Sequence, residues 1–140
     1  MKLHQALLSN ALFSGTSALL IALCYEDLIL EIPLPEVYWM AISVALALFS
    51  GQLVMMAAVL IKQSSWAQTQ QGLVLKLTPS VVIADIIWVV GSCSLLLMFA
   101  DLMSVFGWVI ITVVNVFVGS LALLQYRGLQ KIKAAINKGR

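Results

Sequence analysis

Long apolar runs broken by short polar stretches dominate the chain. An α-helix rises 1.5 Å per residue, so crossing a hydrocarbon core of about 30 Å takes about 20 mainly apolar residues. Four stretches satisfy this, at about residues 6–25, 37–61, 79–100 and 105–126. Inside lipid every backbone N–H and C=O needs an internal partner, so each stretch is predicted to be a helix. The breaks agree. Ile32-Pro33-Leu34-Pro35 cannot continue a helix, and Thr78-Pro79 reads as an N-cap followed by proline at the first helical position.

Composition excludes the main alternative. Of 140 residues, 62% are hydrophobic and only 10% charged, against about 25% charged in soluble domains. There is too little charge to clothe a water-facing surface. Lys2 and the run Ala18-Leu19-Leu20-Ile21-Ala22-Leu23 resemble a signal peptide. No small-x-small cleavage site precedes Tyr25, however, and Leu23 stands where a lipoprotein needs a small residue before Cys24. The segment is therefore expected to stay as the first helix.

Charge placement gives direction. All eight basic residues fall on one side of a four-span arrangement: Lys2, Lys62, Lys76, Arg127, Lys131, Lys133, Lys138 and Arg140. Glu26, Asp27, Glu31, Glu36 and Asp101 fall on the other. The positive-inside rule predicts an all-α, up-down-up-down transmembrane bundle in a single domain, with both termini and the middle loop cytoplasmic. Two cytoplasmic segments look interfacial. The middle loop, residues 63–77, carries Trp66 with Leu73, Val74 and Leu77. After the fourth span Leu129, Ile132 and Ile136 recur at helical spacing among Lys131, Lys133 and Lys138, a pattern suited to an anionic leaflet.

The sixth acid, Asp85, lies inside the third span, about 9 Å below its expected start at Pro79. A carboxyl at that depth costs about 2.5–3.5 kcal/mol on insertion scales and should face the bundle interior or a wet cavity. No Lys or Arg lies within a span to balance it. Helical spacing supplies neighbours: Asp85, Trp88 and Ser92 on the third helix, and Asn10, Ser14 and Ser17 on the first. Thr112, Asn115 and Gly119 form a stripe on the fourth, and Ser43, Ser50 and Gln52 are offered by the second. Alternating helix direction puts Asn10, Gln52, Asp85 and Ser120 at similar depth, with Asn115 nearer the middle. The candidate ligand or proton site is thus Asp85, Asn10, Asn115, Trp88, Gln52 and Ser14. The competing reading is that Ser, Thr, Asn and Gln hydrogen-bond between helices while glycines permit close approach.

Catalytic patterns are missing. There is no H-E-x-x-H, no Gly-rich phosphate loop and no nucleophile elbow, and the single histidine, His4, cannot make a bis-His site. Cys24 and Cys93 form no C-x-x-C and read as buried free thiols. No cofactor, metal or nucleic-acid partner is expected; membrane lipids, a homo-oligomer or a larger membrane complex are.

Leu8-Ser9-Asn10-Ala11-Leu12-Phe13-Ser14-Gly15 paired with Asp85-Ile86-Ile87-Trp88-Val89-Val90-Gly91-Ser92 resembles small four-span bacterial membrane proteins of uncharacterised function. The resemblance implies an inner-membrane helical protein and brings no activity. Small multidrug resistance transporters are similar in size and span number but carry their membrane Glu in the first helix, where this chain has Asn10. Three classes follow, led by a structural or accessory protein binding lipid or a membrane partner. An oligomeric small-ligand or proton-coupled transporter comes second, and an intramembrane enzyme third.

Overall fold

The computed structural model describes residues 2–62 and 65–138, with side chains at all of these except 65–70, 136 and 137. Four α-helices make up the fold: α1 (Leu3–Glu31), α2 (Glu36–Ile61), α3 (Ser65–Met98) and α4 (Val105–Lys138). All four are long and apolar enough to cross a membrane. At most 28% of the apolar window of any of them is buried. Leu12, Leu48, Leu97, Val105 and Val116 face outward. In water such an exterior would drive aggregation. In lipid it is the solvated face, so the chain has the character of a multi-pass integral membrane protein.

Hydroxyl contacts set the α1–α2 register. Ser43 Oγ donates to the Ala18 carbonyl at 2.8 Å, and Ser50 Oγ donates to the Ala11 carbonyl at 2.7 Å. As α2 advances seven residues, its partner position on α1 retreats seven, so the two run antiparallel. A Cβ on Gly15 would lie 2.9 Å from Ser50 Oγ, so a side chain here would push that hydroxyl from its place against the Ala11 carbonyl. α4 is also antiparallel to α1. Gly128 packs on the Leu3 backbone, the Phe13 and Phe117 rings stack with centroids 4.7 Å apart, and Gly107 packs against the Glu31 carbonyl. Neighbouring helices pack in the cycle α1–α2–α3–α4, while among the described residues the diagonal pairs α1–α3 and α2–α4 bring no two Cα atoms within 8 Å.

Among the described residues two apolar clusters fill the interior. One, at the end bearing both chain termini, contains Leu3, Leu7, Ala11, Leu53, Met56, Ala57, Val74 and Val81. The other, at the opposite end, contains Ile32, Trp39, Leu96 and Met103. There Ser104 caps α4, accepting from the Gly107 amide at 2.9 Å, while its hydroxyl donates to the Glu31 carboxylate. That contact places a negative charge at a helix N-terminus, where the helix dipole favours it.

Helix limits depart from the sequence reading in three places. α1 runs beyond Tyr25 to Glu31, with one non-helical residue at Cys24, so Glu26, Asp27 and Glu31 belong to helix rather than loop. Pro79 does not start the third helix but sits inside it. Thr78 Oγ1 donates to the Val74 carbonyl at 2.8 Å, whereas the carbonyl that Pro79 leaves without its helical N–H is that of Leu75. Finally, the C-terminal tail continues α4, with Leu129 buried and Ile132 packed on the core. Trp66 and Ile136, which the sequence reading placed at the interface, have side chains outside the described set.

Candidate functional site

Asp85 is flanked on α3 by Ile83, Ile86 and Ile87, all facing outward, so its own direction is inward; it is 4% exposed. Across the bundle Asn10 is 1% exposed. Asn10 Nδ2 donates to Asp85 Oδ2 at 2.8 Å. Ser14, one turn along α1, donates from Oγ to Asn10 Oδ1 at 3.4 Å. The donor order Ser14 to Asn10 to Asp85 is a single directed chain. Among the described residues it contains the only hydrogen bond joining the diagonal pair α1 and α3.

The i, i+4 spacing of Asn10 and Ser14 made this cluster legible, because such residues share one helix face. The other candidates are not brought to it. Gln52 is exposed, since the inward face of α2 is taken by Ser43, Leu53, Met56 and Ala57 and the next residue along a helix turns about 100° away. Trp88 is half-buried, and its carbonyl accepts from Ser92 Oγ at 2.7 Å. Asn115 is buried but belongs elsewhere: its Nδ2 donates to Cys93 Sγ at 3.6 Å and its Oδ1 has no partner among the described residues. Cys93 lies eight residues beyond Asp85, or about 12 Å along α3. Both cysteines are free and exposed rather than buried.

Sequence reasoning passed over Gln125. It is fully buried, and neither its Oε1 nor its Nε2 has a partner among the described residues. Its signal was present: Leu121, Ala122 and Leu129, at helical spacing around it, are all buried, so position 125 lies on the inward stripe. Thr78, also fully buried, was read as a cap rather than a mid-helix group.

Chemically the cluster can tie helices together or hold a proton at the Asp85 carboxyl. Among the described residues no group of three or more His, Cys, Asp or Glu side chains is placed to hold a metal ion. Lys131, Lys133 and Lys138 are exposed on the last turns of α4. No protein-family model, no curated protein and no solved structure matches the chain.

Proposed function

We propose that the chain is a structural or accessory protein of a bacterial inner membrane, binding lipid or a membrane partner. It stands up-down-up-down with both termini cytoplasmic. One observation carries the reading: the Asp85 carboxyl is buried and bonded to Asn10, and it lines neither the cleft at the terminal end nor the one between α3 and α4. A group that exchanges a ligand or proton needs a path, whereas one that holds helices together needs only its partner.

Substitution of Asp85 tests this. Asp85→Asn keeps the shape and a hydrogen-bonding partner for Asn10, so detergent melting should change by less than about 1 kcal/mol. Asp85→Leu leaves the buried Asn10 amide without an acceptor and should cost about 1–3 kcal/mol. Infrared absorption of the carboxyl across pH gives the decisive readout. An unchanging carboxyl band supports the tie; titration near neutrality in the folded protein overturns it.

A second reading, an oligomeric small-ligand or proton-coupled transporter, draws on the buried Asn115 Oδ1 and the buried Gln125 amide, which have no partner among the described residues. Unsatisfied groups of this kind mark places that a ligand or water would satisfy. An intramembrane enzyme has the least support, because one carboxyl without a nucleophile or metal cluster does not make a reaction centre.

Orientation has its own test. In a chain with Cys24 and Cys93 replaced by alanine, Leu30→Cys and Asp101→Cys should react with an impermeant thiol reagent from outside. Ser65→Cys and Ala135→Cys should react only after the membrane is opened. Outside labelling at position 65 would overturn the topology.

A further inference from the structure

One opening lies away from Asp85, at the end of the bundle that bears the termini. A cleft of about 670 Å³ lies between the start of α1, the end of α2, the early turns of α3 and the last turns of α4. Its apolar floor includes Leu60, Leu75 and Ile132, and its basic rim is Lys2, His4 and Lys131. The volume falls in the range of small-ligand sites. We infer that this cleft is a discrete site for one anionic phospholipid, with the headgroup phosphate among Lys2, His4 and Lys131 and the start of the acyl chains on the apolar floor. The inference rests on the membrane-accessory reading and names the lipid class it would bind.

Charge carries the assignment. Among the described residues no Asp or Glu lines the cleft. Five of the six acids lie on α1 from Glu26 onward, at Glu36 and at Asp101, toward the opposite end, and the sixth is Asp85, inside the bundle. Basic groups drawn from two helix ends therefore converge with no internal counter-charge, an arrangement that an anion relieves. The backbone brings them together: Gly128 lets α4 approach α1 so closely that a Cβ there would stand 3.1 Å from Leu3 Cα. The same approach carries Lys131, less than one turn on, to the α1 N-terminus. That terminus adds its own attraction. Its first turn holds no acidic residue, and the first amides of a helix have no helical acceptor. Charge and apolar floor lie side by side, which matches a lipid rather than a free ion.

Lys133 and Lys138 provide the control, because they carry the same charge on the same helix but do not line the cleft. The full chain in a non-ionic detergent is titrated with phosphatidylglycerol or phosphatidylcholine and bound lipid is counted by native mass spectrometry. One phosphatidylglycerol per chain, bound in preference to phosphatidylcholine, is expected. Each basic group near a membrane surface is worth about 1 kcal/mol, so Lys2→Gln with Lys131→Gln should weaken binding about 30-fold. Lys133→Gln with Lys138→Gln should leave it within about threefold, as expected for charges outside the cleft. Melting curves without lipid establish that both doubles fold. Gln71→Glu, which adds a carboxylate to the lining, is a second way to weaken binding without touching the lysines. Equal loss in both doubles would overturn the site in favour of diffuse attraction. Equal binding of phosphatidylcholine would overturn the anion requirement, and displacement by millimolar inorganic phosphate alone would make the site one for a free anion. The assay runs in detergent and leaves Asp85 untouched, so its failure is distinct from failure of the topology or of the Asp85 tie.

Discussion

The two helical hairpins use the same small and hydroxylated residues to different ends. In α1–α2, Ser43 and Ser50 donate to carbonyls of the other helix, and Gly15 is held against Ser50. In α3–α4, Ser92, Ser94 and Ser120 each donate to the carbonyl four residues back on their own helix, at 2.7, 3.0 and 2.7 Å. A Cβ added at Gly91 or Gly119 would meet nothing within 4 Å. The first seam is stitched by hydroxyls reaching across to the neighbour's backbone; the second has the Asn115–Cys93 side-chain bond, otherwise relies on apolar contact, and leaves Gly91 and Gly119 open. A serine or glycine in a membrane helix is therefore glue only if its direction brings it to a neighbour. Otherwise the hydroxyl satisfies itself locally.

The contrast breaks most sharply at the glycines. Gly15→Val should force α1 from α2 and cost about 2–3 kcal/mol, as overpacking does, in reversible unfolding by denaturing detergent. Gly119→Val, with the same change in helix propensity, should stay within about 0.5 kcal/mol, as surface substitutions do. Equal costs would erase the distinction between the hairpins. Gly15→Ala refines it, because its new Cβ meets Ser50 Oγ at 2.9 Å. Removing that oxygen with Ser50→Ala should recover most of the loss, giving a coupling of about 1 kcal/mol in a double-mutant cycle.

The hydroxyls give the smallest effects. Ser43→Ala should cost about 0.6 kcal/mol, the average for interhelical bonds in membranes. Ser120→Ala should change stability by roughly zero, because back-bonding to the i−4 carbonyl does not favour the helix. The measurement is again the unfolding midpoint, and a Ser120→Ala loss as large as that of Ser43→Ala would place the second seam in the same class as the first.

The sequence alone determined that four helices exist and are suited to lipid. Hydropathy over 20 residues is a local sum, and no packing detail changes it. It also determined that Asn10 and Ser14 share a face and that Asp85 turns inward, because helical spacing is local and a lone carboxyl is costly against hydrocarbon. Tertiary structure decided the rest. Depth along the axis could be estimated from residue counts, but which of the scattered polar positions face a neighbouring helix was settled only by packing, so Gln52 faces out while Gln125 faces in. Pro79 looked like a helix start because proline usually is one in water; in the bundle the helix continues through it. Pairing across the diagonal was decided by two side chains meeting where no backbones touch. Gly128 likewise gained its meaning only when α4 came to rest on the first residues of α1.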